Sequence, residues 1–476
     1  MNLTNRTQTV LQQAETCIEH GEPEKALDLL RPLTENANDA PTSTDESMWR
    51  VHELIGACFH DLGDADGAAQ AYFNAVQTDD LLSCQRQHYA NYLFNLHYLP
   101  TVGRPNATAA TREQIAAVHF AADNFYRDIT PLPPPAWHHD KTRLGYIAPR
   151  FGGGAVAGFY SVLLDDYDKK KFTVTCYDVT ELREKNGLSW EEIASVVRRD
   201  ETDILIDLGG HSAGGVTLPI MAHRPAKIQL SGWGWFDTTG LVCIDYLIAD
   251  DRLVPPGEEK YFREQILRLP YAFCYTPPPE LQKQPPPRPK HGTTVVCGCF
   301  ANYMKITDEW LAVWREIHAQ IPAAVLVLQD VTPLAARQRY MTERIAALGL
   351  SGSIKLKPST PDYGGALAQI DLVLDTFPYP GGAMTAAALY SGVPVVTLAG
   401  SGYGSRFGGS LLHAAGLGEF VTTDCSAYIQ KIVSLMRDGQ TLADWHDRLR
   451  DKVIRSPLMN REQYMAHYEA VLLTLL

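Results

Sequence analysis

Apolar positions change their period twice along the chain, and the changes divide it into three stretches. In the first hundred residues the period is helical. Gly56, Phe59, Gly63, Ala68, Tyr72 and Ala75 stand where a helix–turn–helix repeat of about 34 residues keeps small and aromatic side chains, because its two helices cross closely there. Ala14, Cys17, Gly21, Ala26 and Leu30 repeat the theme 42 residues earlier, and the polar insert NANDAPTSTDE accounts for the excess. The proline that usually follows the second helix is replaced by Asp80. Thr111 with Gln114 predicts a capping box for a later helix reaching about Arg127.

PLPPPAW (131–137) ends the helical pattern, and apolar runs of strand length follow: LGYIAP, FTVTCYDV, DILIDLGG, KIQLSGWG, YLIADD and QILRLP. A second proline-rich stretch, TPPPELQKQPPPRPK (276–290), precedes another alternation, with strands TVVCGCF, AAVLVLQD, SIKL, DLVLD and VPVVTLA between helices. Near-continuous apolar strands alternating with helices predict parallel sheets covered on both faces. The expected fold class is therefore α/β, with two doubly wound domains facing a cleft and a helical, tetratricopeptide-like N-terminal domain. The boundaries are 1–130 helical, 131–275 first α/β half, 276–291 linker, and 292–476 second α/β half with terminal helices.

Composition narrows the partners. The chain has 476 residues, 45% hydrophobic and 20% charged, with net charge −13. A negative chain argues against sequence-independent nucleic-acid or anionic-membrane binding. No apolar run approaches the length of a membrane span, and the N-terminus lacks a signal-peptide core, so a cytoplasmic location is expected. Nine scattered cysteines read as reduced structural thiols rather than a disulfide or zinc framework. Too few repeats are present to fold alone, so the helical unit is expected to pack on its neighbour or on another copy.

The richest segment for chemistry is DLVLDTFPYPGGAMTAAALYSGVPVV (371–396). A strand ends at Asp375, and Gly381 and Gly382 lead into an alanine-rich helix that begins with Ala383, Met384 and Thr385. Backbone N–H groups left open at a helix N-terminus favour an anion such as a diphosphate. CFANYMKITDEW sets Asn302 and Lys305 in the turn after the second half's first strand, where a lysine can neutralise a diphosphate. Ser405 and Arg406 in GYGSRFGGS offer another anion contact. In the first half, FGGGAVAGF (151–159) can admit a ligand close to the backbone. DLGGHSAGG places His211 just past a buried strand, where it could serve as a general base. No GxGxxG opens either first helix and no Walker motif occurs, which disfavours a dinucleotide enzyme or a P-loop ATPase. The Asp-x-Asp at Asp64–Asp66 lies inside the helical repeat and Asp250-Asp251 is merely an adjacent pair, so no metal or other cofactor is expected.

In their order these segments resemble the O-linked N-acetylglucosamine transferase and SPINDLY family of protein glycosyltransferases, from about Tyr89 to the C-terminus. The resemblance implies a GT-B fold, a nucleotide-sugar donor (UDP-GlcNAc or a UDP-hexose) held mainly by the second half, a protein side chain as acceptor, and inversion without a metal. It implies that Lys305 contacts the diphosphate, with Asn302 beside it, and that Gly381 to Thr385 hold the phosphates. It also matches His211 to the histidine of a bacterial motif. Departures accompany it: Gly154 and Gly158 stand where the family has histidines, Ala383-Met384 interrupt a threonine run, Ala387 replaces an acidic ribose contact, and Tyr363 replaces a donor-side histidine. Those losses leave a second expectation open, a non-catalytic or weakly active partner of another glycosyltransferase. A small-molecule glycosyltransferase is disfavoured by the repeats.

Overall fold

The computed structural model describes residues 3–35, 48–99, 109–152, 156–283 and 294–476. Six helices form the N-terminal layer: α1 (Leu3–Glu19), α2 (Pro23–Glu35), α3 (Met48–Leu62), α4 (Ala65–Thr78), α5 (Leu82–Leu96) and α6 (Ala109–Phe120). The pairs α1/α2 and α3/α4 are the two repeats. A Cβ on Gly56 would lie 2.9 Å from the Tyr72 ring, so the glycine is what lets α3 and α4 approach as closely as they do. The polar insert (36–46) falls outside the described residues. The cap expected at Thr111 lies inside α6, which starts at Ala109. A 3₁₀ turn, Ala121–Tyr126, carries the chain to the end foreseen near Arg127.

The first α/β half contains β1 (Thr142–Ala148), β2 (Phe172–Asp178), β3 (Ile204–Asp207), β4 (Ile228–Ser231), β5 (Tyr246–Ala249) and β6 (Gln265–Arg268). They lie in the order β2-β1-β3-β4-β5-β6, every pair parallel. The central β3 is buried throughout, whereas the edge strand β2 alternates with exposed Thr173, Thr175 and Cys176. Burial on both faces is why the central runs read as unbroken apolar segments.

The second half contains β7 (Val296–Phe300), β8 (Val325–Gln329), β9 (Ile354–Lys357), β10 (Leu372–Leu374), β11 (Val395–Leu398) and the two-residue β12 (Val421–Thr422). Its order is β12-β11-β10-β7-β8-β9, again parallel. Of the linker, only 276–283 is described, and it includes a short helix, Pro279–Gln282.

Chain order and spatial order part at the end. The helix Arg461–Leu473 returns to the first half, where the Tyr468 and Tyr146 hydroxyls lie 3.1 Å apart and Glu469 accepts from the Asp168 N–H at 2.6 Å. No helix among the described residues is long and apolar enough to cross a membrane.

Candidate functional site

Ligands of doubly wound sheets bind beyond the carboxyl ends of the strands, where the strand order reverses. In the second half that point lies between β7 and β10. The turn leaving β7 holds Asn302 and Lys305, and the turn leaving β10 holds Asp375 to Gly382. The sheet therefore brings together two of the motifs singled out from sequence.

Asp375 organises the second turn. Its carboxylate accepts from the Gly381 N–H at 2.6 Å and the Thr376 N–H at 3.0 Å, and Thr385 Oγ1 donates to its other oxygen at 3.4 Å. Its carbonyl accepts from Trp310 Nε1 at 3.0 Å and the Tyr428 hydroxyl at 2.8 Å. The residue is 4% exposed, and burial pushes its carboxyl up to about 6 even though Gly381 and Lys305 favour the charged form. Sequence reading placed Asp375 only as a strand end. Its role depends on a glycine six residues on and a lysine seventy residues back.

Lys305 closes the arrangement from the other side. Its Nζ donates to the Pro380 carbonyl at 3.0 Å and lies 4.3 Å from the centre of the Tyr379 ring. Burial lowers its pKa to about 8, opposed by the charge of Asp375. The helix Ala383–Tyr390 starts directly after Gly382 with no side-chain cap. The N–H groups of Gly382, Ala383, Met384 and Thr385 thus have no intrahelical acceptor. A cavity lined by Ala301, Asp375, Gly381, Met384 and Thr385 opens here. A second, of ≈ 190 Å³, lies past β8 and β9 among Tyr303, Asp330, Thr332, Gln338, Lys357 and Ser359.

The remaining expected residues have other partners. The Asn302 side-chain oxygen caps the turn Tyr303–Lys305, accepting from the Met304 N–H at 3.0 Å, and also accepts from Arg337 at 2.9 Å. The Arg406 guanidinium, expected at an anion, is forked onto Glu258 of the first half at 2.6 and 2.8 Å. Ser405 Oγ closes a local turn with Gly402. Arg406 thus ties the second half to the first, whereas the Ser405 bonds stay within the second half.

His211 also differs from expectation. It is 1% exposed, its Nε2 donates to the Thr239 carbonyl at 2.7 Å, and burial drives its pKa down to about 3. The ring is therefore neutral and enclosed. It packs instead in a chain of rings: Trp235 at 4.9 Å, then Phe236 at 5.1 Å, then Tyr379 at 4.7 Å beneath Lys305. Gly154 lies outside the described residues. Gly158 is tightly packed, since a Cβ there would stand 3.0 Å from the Tyr275 ring and 3.2 Å from the Thr276 carbonyl oxygen, and those neighbours would have to give by a few tenths of an ångström. Ala387 is buried, and Tyr363 opens the helix Tyr363–Ala368.

His97, His119 and Asp237 bring possible metal-ligating atoms within 4.8 Å of one another. The Asp237 carboxylate, however, already accepts from both Arg112 terminal nitrogens at 2.6 and 2.7 Å. The two imidazoles share a hydrogen bond of 3.1 Å between their Nε2 atoms, and His119 Nδ1 donates to the Ile115 carbonyl at 2.8 Å. Arg112 balances the carboxylate, so this donor set is a closed network and a poor fit to a cation.

Two parallel six-stranded sheets facing a cleft, crossed by a returning C-terminal helix, define a GT-B fold, here carrying N-terminal helical repeats. Residues 289–468 match the model of Glycosyl transferase family 41, and the chain is a relative of the O-linked N-acetylglucosamine transferases and SPINDLY proteins. It is 35% identical over 354 residues to an Arabidopsis thaliana protein named probable UDP-N-acetylglucosamine–peptide N-acetylglucosaminyltransferase SPINDLY, covering 69% of this chain and 38% of that one. Identity to the Arabidopsis thaliana SEC protein, of the same descriptive name, is 27% over 363 residues, covering 69% and 36%. This chain thus aligns with little more than a third of the length of those relatives. The solved structure of a Thermobaculum terrenum O-GlcNAc transferase mutant superposes with a TM-score of 0.79 at 24% identity, covering 99% of this chain and 97% of that one.

Proposed function

We propose that this protein is an inverting, metal-independent glycosyltransferase that moves a sugar from a nucleoside-diphosphate donor to a protein side chain. The observation that carries the reading is the anion seat at the switch point. There the Lys305 ammonium faces a helix start with open N–H groups, in a turn tied down by Asp375. In the transfer, the acceptor atom attacks the anomeric carbon opposite the diphosphate and gives up its proton to a diphosphate oxygen. The bond to the phosphate oxygen breaks and its electron pair leaves with the diphosphate. We assign Lys305 and the N–H groups to that developing charge, which is where fixed donors accelerate such a step. The cavity past β8 and β9 offers room for the nucleoside. UDP-GlcNAc or a UDP-hexose is the donor class we favour, and the helical layer is the surface we assign to the protein acceptor. His211 is assigned to holding the cleft wall, not to proton transfer.

Calorimetric titration with UDP, and mass spectrometry of an acceptor proteome incubated with donor sugars, test this. Lys305→Ala is expected to weaken UDP binding at least tenfold with little change in unfolding midpoint. Affinity of the unaltered protein should fall as the pH rises through about 8, where free Lys305 loses its proton. Equal UDP affinity of the two proteins would remove the basis of the proposal.

The crowding of position 158 by Tyr275 favours a second reading, a substrate-binding partner that transfers sugar weakly. It predicts that UDP binds while no donor is consumed.

A further inference from the structure

Arg337, on the helix Ala335–Ala347, is 2% exposed, and its fork meets acceptors from two domains. Nε donates to the Asp61 carbonyl at 3.0 Å and Nη2 to the His60 carbonyl at 2.8 Å, both in the last turn of α3. Nη1 donates to Asn302 Oδ1 at 2.9 Å, the same oxygen that caps the turn ending in Lys305. The nearest carboxylate, Asp330, is 3.8 Å away. The buried charge therefore depends heavily on the carbonyl end of a repeat helix, which is the negative end of its dipole.

The surroundings support the same contact. Gly63, at φ +84°, passes so close that a Cβ would stand 3.4 Å from Arg337 Cγ and 3.6 Å from the Met304 nitrogen. The Tyr340 hydroxyl donates to Asp64 at 3.3 Å, and Arg339 pairs with Glu24 at 2.9 Å. Ala336 and Tyr340 pack into the apolar core of the repeats.

We propose that Arg337 is a positioning residue for donor binding, through which the docked α3 terminus sets the turn that presents Lys305. The helical layer is then a third wall of the donor site as well as an acceptor surface. A macromolecule that shifts α3 on the second half would change donor affinity, since one guanidinium holds both. Lysine cannot replace it, because a single ammonium on a flexible stem does not span three acceptors in a plane. The inference rests on the reading of Lys305 as the diphosphate contact.

The test compares UDP affinity, donor KM, kcat and unfolding midpoint for Arg337→Lys, Asn302→Ala, the double variant and Arg339→Ala in the full chain. Arg337→Lys and Asn302→Ala should each raise the UDP dissociation constant and donor KM about tenfold, with kcat changed much less. The double variant should be no worse than the weaker-binding single one, because both cut the same link. Arg339→Ala, which breaks an exposed pair at the same interface, should leave affinity unchanged. A lowered midpoint with affinity retained in both single variants would make Arg337 merely structural and overturn the proposal, and additive losses would do the same. Asn302→Ala carries the test if Arg337→Lys does not fold. If Lys305→Ala keeps full UDP affinity, the donor-site reading fails first, and independently.

Discussion

Replacing Asp375 by asparagine separates what its charge costs the fold from what its oxygens do for the turn. The substitution keeps size and one acceptor for the Gly381 and Thr376 N–H groups, and removes a charge that is 4% exposed. Burial raises the carboxyl from 3.8 to about 6, and at about 1.4 kcal/mol per tenfold change this amounts to about 3 kcal/mol. Between those values the folded chain binds more protons than the unfolded one, so the contribution of Asp375 to stability falls as pH rises through the window. The asparagine variant lacks that dependence. Relative to the unaltered protein it should therefore gain about 3 kcal/mol between pH 4 and pH 7, or about 2–4 °C in midpoint per kcal/mol for a domain of this size. Thermal unfolding of both proteins at closely spaced pH values measures the difference. A difference that stays constant with pH, or moves against the variant as pH rises, would refute the account of Asp375 as a buried charge held at a cost. UDP affinity of the same variant should fall, because the turn loses charge-assisted hydrogen bonds and Lys305 loses its nearest carboxylate.

Two further outcomes follow from close packing and buried charge. Gly158→His should lower the unfolding midpoint by the equivalent of about 1–3 kcal/mol through overpacking against Tyr275 and leave transfer activity no higher than that of the unaltered protein; a stable variant with raised activity would contradict the geometry. Asp237→Ala should cost about 3–5 kcal/mol in urea unfolding because it strands the buried Arg112, whereas the paired change Arg112→Met with Asp237→Leu should recover most of the loss. A single variant as stable as the unaltered chain would show that the pair is not buried as described.

The strands were legible because burial on both faces leaves no polar residue to interrupt an apolar run, and β3 and β11 are buried along their length. The two-residue β12 offers too short a run to read. The glycine turn and Lys305 were legible as local motifs, but their partners were not. Arg337 looks like one more arginine on a helix, and its acceptors lie 276 and 277 residues earlier in the chain. Arg406 looks free until Glu258, 148 residues away, is brought to it. His211 suggested acid–base chemistry by its place after a strand, yet only packing reveals the enclosure by Trp235 and Thr239. Local pattern specifies elements; the commitments of charged side chains are made by tertiary contact.

The returning helix Arg461–Leu473 has a consequence for how the molecule is made. Tyr146 meets its partner Tyr468 across 322 residues of sequence. During synthesis the first α/β half emerges with Tyr146, Trp233 and the Ala272 carbonyl lacking the partners that Tyr464 and Tyr468 supply, and it has to wait for them until the second half has been translated. A nascent chain paused near residue 300 should leave those groups open to chaperones. A separately supplied peptide spanning 461–473 is the piece that would cover them.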